Sequence, residues 1–144
     1  MTRLHSRYPA LADKILRAST EGLQRVVGTA VRIAIQKWDA ESALAKAILD
    51  AVDGREQLQA SARERLRESQ ERWDNRYLEI QEELEANKKL PAEGLRAFHR
   101  ARALAAVLYA IDPLDATRAT EVVYEALASS TDEQAAEHKI SKSV

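Results

Sequence analysis

The stretch from residue 55 to residue 89 constrains the fold more than any other part of the sequence. It contains neither Pro nor Gly, and 17 of its 35 residues are charged. Its apolar residues recur every three, four or seven positions, which places them on one face of an α-helix; they are Leu58, Ala62, Leu66, Trp73, Tyr77, Ile80 and Leu84. We therefore predict one long, charged, coiled-coil-like helix over 55–89, about 50 Å long at 1.5 Å per residue.

The rest of the chain also favours helix over strand. Only 5% of its residues are aromatic, and its 144 residues include four Gly and three Pro. No stretch alternates between apolar and polar residues, as a half-buried strand would. The helical periodicity predicts an elongated all-α bundle of five helices over 9–37, 40–53, 55–89, 92–111 and 114–128.

Residues that start or stop helices set the predicted boundaries. Pro9 suits a first helical turn, and Asp39 can cap the second helix. Gly54 is a typical helix stop, and Pro91 forces the preceding residue out of the helical conformation. The first predicted helix is taken as continuous through Gly22, the position at which it is weakest, because Gly costs about 1 kcal/mol relative to Ala there.

The second half of the fourth predicted helix should be buried. Residues 103–111 carry no charge on any face, which is typical of a helix inside a core. The core residues expected there are Leu104, Val107, Leu108 and Ile111. We expect residues 1–130 to form one helical domain, followed by a polar, flexible tail over 131–144.

The sequence argues against an enzyme and against a bound cofactor or metal. It has no Cys, which excludes disulfides and thiolate ligands. None of His5, His99 and His138 has a Glu three residues before it, as a di-iron bundle requires. Phosphate-loop, zinc-protease and hydrolase motifs are also missing. His99 lies beside Arg96 and Arg100, so we expect it at the surface rather than bound to haem.

Composition indicates the compartment in which the chain would work. No segment approaches the ~20 apolar residues of a membrane-spanning helix, and the first ten residues lack the apolar stretch of a signal peptide. The formal net charge is −1, so the chain as a whole lacks the large positive charge of a protein that coats nucleic acid. We expect a cytoplasmic protein with no membrane partner.

The first predicted helix carries a basic stripe. Its members fall within about 120° of one another on a helical wheel; they are Lys14, Arg17, Arg25 and Arg32. Two interpretations remain open. The stripe is either a solvated face paired to acidic neighbours or a surface that follows a nucleic-acid backbone.

Charges on the long helix are segregated, with Arg in its first part and Glu in its last part. In an antiparallel pair of copies centred on Trp73, Arg63 would face Glu83 and Arg67 would face Glu79. We therefore predict an antiparallel homodimer whose interface is formed by Arg63, Leu66, Arg67, Trp73, Tyr77, Glu79, Ile80 and Glu83. The alternative is that another helix of the same chain covers the apolar stripe.

These features predict a non-catalytic protein–protein interaction module. Such a module would be an adaptor, a regulatory subunit or an immunity-type subunit that acts through exposed helix faces. The partner is expected to be a second copy, another protein or both. The alternative function is that of a small helical subunit that binds nucleic-acid backbone through the basic stripe.

Overall fold

The computed structural model describes residues 2–54, 56–86 and 88–144. Over these ranges it has eight helices and no strand, which confirms the all-α prediction and corrects the predicted count of five. In chain order, α1 to α8 are Arg3–Arg7, Pro9–Leu16, Thr20–Trp38, Ser42–Val52, Ala60–Glu83, Ala92–Ala110, Ala116–Ala128 and Glu133–Ser143.

The predicted helix over 9–37 is two helices, and the break precedes Gly22. Helix α2 ends at Leu16, and α3 begins after Ser19. The Gly22 amide donates a hydrogen bond of 3.0 Å to the Ser19 hydroxyl. A Ser in this position accepts a hydrogen bond from an amide that has no partner within the helix. One helix can therefore end and the next begin there at little cost in free energy.

Two residues with positive φ turn the chain on either side of α4. Asp39 ends α3 in the left-handed conformation at φ 62°, so it does not cap α4 as expected. Gly54 follows α4 at φ +74°, a conformation that Gly adopts without a steric penalty. The predicted stop at Gly54 is therefore in the right place.

The long helix α5 has 24 residues instead of the 35 predicted, which corresponds to about 36 Å. It begins at Ala60, because the chain before it leaves the helical path and buries Leu58 in the core. It ends at Glu83, and Leu84 is extended with ψ 131°. The segment that follows leads to Pro91, which disfavours helix in the residue before it.

Helix α6 lies at the centre of the bundle, in contact with α3, α5 and α7. Buried residues from all eight helices form one hydrophobic cluster. Of the four core residues expected in this helix, Leu104 and Val107 are fully buried, whereas Leu108 and Ile111 are only half-buried against the cluster. The prediction of a buried second half of the helix is thus correct for the side that faces α3 and α7.

The segment expected to be a flexible tail forms α8. The Asp132 side chain caps this helix by accepting a hydrogen bond from the Ala135 amide at 3.1 Å. Ala136 and Ile140, one turn apart, are buried against the rest of the bundle, and α8 contacts α3 and α7. Two inward residues are too few to produce a periodic signal in the sequence.

Within the described ranges, every helix is too short or too polar to span a bilayer.

Candidate functional site

The apolar stripe of α5 is covered by α6 of the same chain. Leu66 is fully buried and Ile80 is 5% exposed. The Ile80 side chain packs directly on the α6 backbone, since a Cβ added at Gly94 would lie 3.0 Å from the Ile80 Cγ2 atom. Leu66 and Ile80 are therefore buried by contacts within the chain itself. The packing corresponds to the alternative in the sequence analysis, in which another helix of the same chain covers the apolar stripe.

The other residues predicted for a homodimer interface have contacts within the chain, with one exception. The Arg100 guanidinium lies over the Trp73 ring, 4.8 Å from its centroid, and the Tyr77 ring contacts the Phe98 ring. The charged members form the ion pairs Arg63–Asp112, Arg67–Glu64 at 3.1 Å and Glu79–Arg76 at 3.3 Å. The exception is Glu83, which is exposed and has no ion-pair partner among the described residues. The structure thus uses most of this set to join α5 to α6 or to neighbours along α5.

Two exposed leucines and two half-buried aromatic side chains lie on one side of α5 and α6, and we call this surface the hairpin patch. They are Tyr77 and Leu78 of α5 and Leu95 and Phe98 of α6. Leu78 and Leu95 are 51% and 46% exposed, more than any other large apolar side chain in the described ranges. The rings of Tyr77 and Phe98 lie between the two helices with their centroids 5.2 Å apart.

An ion pair shows that the two leucines lie on the same side. Asp74, one turn before Leu78, contacts Arg102 at 2.9 Å across the two helices. Leu95 precedes Arg102 by seven residues, which is two helical turns, and therefore shares its face. Both leucines consequently lie on the side that the Asp74–Arg102 pair occupies.

Carboxylates border the hairpin patch along α5. Glu71 lies two turns before Leu78 and Glu82 one turn after it, so the three share one face. Both glutamates are exposed, and neither forms an ion pair with another described residue. The patch is therefore an apolar surface with a negative border.

A buried charge network lies behind the patch and joins α1, α5, α6 and α7. The Glu125 side chain is only 2% exposed, and it accepts hydrogen bonds from Arg102 at 3.1 Å and from Arg3 at 2.8 Å. Arg3 also pairs with Glu121. No buried side-chain nitrogen or oxygen in the described part of the chain lacks a hydrogen-bond partner. This network is thus fully satisfied and positions helices rather than presenting a reactive group.

His99 is buried at 8% exposure, which corrects the expected surface position. Its ring lies 5.9 Å from the Phe98 ring. Burial lowers the pKa of His99 below its ordinary value, and the nearby Lys37 charge lowers the pKa further, although Glu133 acts in the opposite direction. The environment therefore favours the neutral imidazole.

The basic stripe lies on α2 and α3, and two of its members hold α8. The Lys14 Nζ atom donates a hydrogen bond of 2.7 Å to the Ser141 carbonyl. The Arg25 Nε atom donates one of 3.3 Å to the Ser143 carbonyl. These are carbonyls of the last turn of α8, where the helix dipole favours a cation.

The other two members of the stripe project into solvent beside carboxylates. The Arg17 side chain is 81% exposed and lies 4.0 Å from Asp13. The Arg32 side chain is 53% exposed, lies 3.7 Å from Asp53, and donates a hydrogen bond of 3.0 Å to the Gly28 carbonyl one turn earlier. Exposed pairs at such distances contribute about 0–1 kcal/mol, so both cations remain available to another anion.

Comparison with protein-family models, curated proteins and solved structures finds no match.

The described part of the chain contains no cluster of three or more His, Asp or Glu side chains able to hold a metal. The hairpin patch and the basic stripe are two surfaces on which another macromolecule could bind. Leu78 and Leu95 are not among the predicted interface residues, because both fall outside the apolar stripes of their helices. A large apolar residue in such a position is the signal that could have identified them.

Proposed function

We propose that this chain is a non-catalytic protein–protein interaction module whose hairpin patch binds an amphipathic helix of a partner protein. The exposure of Leu78 and Leu95 on one side of α5 and α6 is the observation that supports the proposal. An apolar surface with a polar border is typical of interaction sites. Aromatic residues such as Tyr77 and Phe98 are enriched in interfaces because they offer a large contact area.

The negative border indicates the chemistry of the partner. Glu71 and Glu82 lie on either side of Leu78 along α5 and are exposed. A partner helix that places apolar residues on the patch would bind most tightly if basic residues flanked them, because these would lie near the two glutamates. Binding of an amphipathic helix to an apolar surface is a common recognition mode, with anchors spaced three or four residues apart.

A second copy of this chain fits the patch less well. A two-fold contact centred on the patch would bring the acidic border of one copy against that of the other. Like charges brought together cost energy. The proposal is therefore a hetero-complex, in which this chain acts as an adaptor, a regulatory subunit or an immunity-type subunit according to the partner it holds.

The proposal is tested with the double variant Leu78→Asp/Leu95→Asp and the control Leu16→Asp. Leu16 is 38% exposed and lies on α2, outside the patch. Affinity capture with wild type and both variants, quantified by mass spectrometry, identifies proteins that only the patch variant loses. A peptide of the basic amphipathic segment of such a protein should then bind wild-type chain and the control in calorimetry, with at least tenfold weaker binding to the patch variant.

Two results would contradict the proposal. One is that the patch variant, with an unchanged circular dichroism spectrum, captures the same proteins as wild type. The other is concentration-dependent sedimentation of the wild-type chain that the patch variant abolishes, because this would make a second copy the occupant.

A further inference from the structure

We infer that a second surface, formed by α2, α3 and α8, binds nucleic-acid backbone without reading its bases. We call it the basic trough. Its cations are Lys14, Arg17, Arg25, Arg32, Lys139 and Lys142. The inference is independent of the hairpin patch, because none of these residues belongs to α5 or α6.

The basic trough is continuous along α3. Three shallow grooves of about 690, 600 and 480 Å³ follow one another on this surface. Arg25 lines both the first and the second groove, and Arg32 lines both the second and the third. Along α3 alone, from Gly22 to Gln36, the surface extends about 21 Å at 1.5 Å per residue. That length spans about six phosphates of one duplex strand at 3.4 Å each.

The charge of the basic trough contrasts with that of the whole chain. Six cations line it, against the three carboxylates Asp13, Glu21 and Asp53. The chain as a whole carries a net charge of −1. The basic trough therefore carries a local excess of positive charge, and such an excess attracts a polyanion.

The structure distinguishes the cations that hold the fold from those that face solvent. Lys14 and Arg25 donate to carbonyls of the last turn of α8, as described above. Lys139 and Lys142 are exposed on α8, and neither forms an ion pair with a described residue. The cations available to phosphate are consequently Arg17, Arg32, Lys139 and Lys142.

The lining of the basic trough favours a backbone over other anionic partners. No aromatic residue lines it, so bases would have no ring on which to stack. The apolar residues that line it are Ala10, Ala18, Ile33 and Val144. Such a surface offers no large exposed anchor for a protein side chain or for insertion into lipid. A regular row of phosphates needs only spaced cations, which this surface provides.

The test is fluorescence anisotropy with the full chain, using a 20-base-pair DNA duplex and a 20-nucleotide RNA between 20 and 200 mM salt. The trough variant is Arg17→Gln/Arg32→Gln/Lys139→Gln/Lys142→Gln. The matched control removes the same charge from exposed cations elsewhere, as Lys46→Gln/Arg65→Gln/Arg72→Gln/Arg96→Gln. We expect wild-type binding that does not depend on sequence. Four phosphate contacts predict a slope of log K against log salt of about −3.6 for the duplex. The trough variant should bind at least tenfold more weakly, and the control within twofold of wild type.

Three results would overturn the inference. The first is that wild-type chain binds neither nucleic acid at 20 mM salt, and the second is that both variants lose affinity equally. The third is that a polyglutamate peptide or vesicles containing phosphatidylserine bind more tightly than the nucleic acids, which would assign the basic trough to an acidic protein or a membrane. Lys14 and Arg25 are left unchanged in both variants, so their hydrogen bonds to the last turn of α8 are kept.

Discussion

Replacement of Leu66 by Ala tests whether α6 covers the apolar stripe of α5. The substitution removes three carbon atoms from a fully buried side chain. At about 0.8 kcal/mol for each buried methylene, the transfer contribution is about 2.4 kcal/mol. The cavity left behind adds to it, and Leu→Ala changes in cores cost about 3–5 kcal/mol. We therefore expect the free energy of unfolding to fall by about 3–5 kcal/mol.

Leu78→Ala is the matched control on the same helix. Leu78 is 51% exposed, so only about half of the transfer contribution is lost and no closed cavity forms. The expected loss is about 1 kcal/mol or less. Unfolding in urea, followed by circular dichroism and extrapolated linearly to water, gives both values.

The same experiment distinguishes coverage of Leu66 by α6 from coverage by a second copy in the predicted homodimer. If α6 covers Leu66, the loss of stability is the same at every protein concentration. A fall of less than 1 kcal/mol in the free energy of unfolding of Leu66→Ala, or a fall that depends on protein concentration, would refute this packing. Such a result would indicate that Leu66 lies in an interface between copies.

Three further predictions follow from the charge network, the buried histidine and the cap of α3. Glu125→Ala should lower the free energy of unfolding in urea by about 3 kcal/mol, because it leaves Arg102 and Arg3 without their buried partner. The control Glu121→Ala should lower it by less than 1 kcal/mol. Equal losses from the two variants would contradict the burial of Glu125. The pKa of His99 is lowered in the folded state, so the unfolded chain binds more protons and stability falls as the pH falls below about 6.5. His99→Gln should flatten this dependence between pH 5 and 7 in thermal melts, and the exposed-site control His138→Gln should retain it; a slope unchanged by His99→Gln would contradict the assignment. Ser19→Ala should lower stability by about 1 kcal/mol, and no loss would show that the hydroxyl does not cap α3.

Periodicity in the sequence predicts which residues share a helix face but not which neighbour covers that face. The uncharged run 103–111 correctly indicates burial on the side that faces α3 and α7, whereas Leu108 and Ile111 are half-buried and Tyr109 is 36% exposed. The stripe of α5 is also visible, yet the sequence leaves two candidates to cover it, another helix or a second copy. The burial of Leu66 and Ile80 and the contact of Ile80 with Gly94 favour the first of these.

Contacts between distant parts of the chain explain the remaining differences. The hydrogen bonds from Lys14 and Arg25 end on backbone carbonyls more than a hundred residues away. A backbone acceptor has no sequence signature, so the structural role of these two cations could not be predicted. Ala136 and Ile140 likewise become recognisable as inward residues only when α3 lies against them.

Photo-crosslinking from the hairpin patch tests the proposed function most directly. The photoreactive amino acid p-benzoylphenylalanine replaces Leu78 in one variant and Leu16 in another, and each is irradiated in its native lysate. Both positions are exposed leucines on helices, and only the first belongs to the patch. The proposal predicts a crosslink from position 78 to a partner segment with apolar residues flanked by basic ones, and no such crosslink from position 16. Crosslinks to the same proteins from both positions, or from position 78 only to a second copy of this chain, would contradict it.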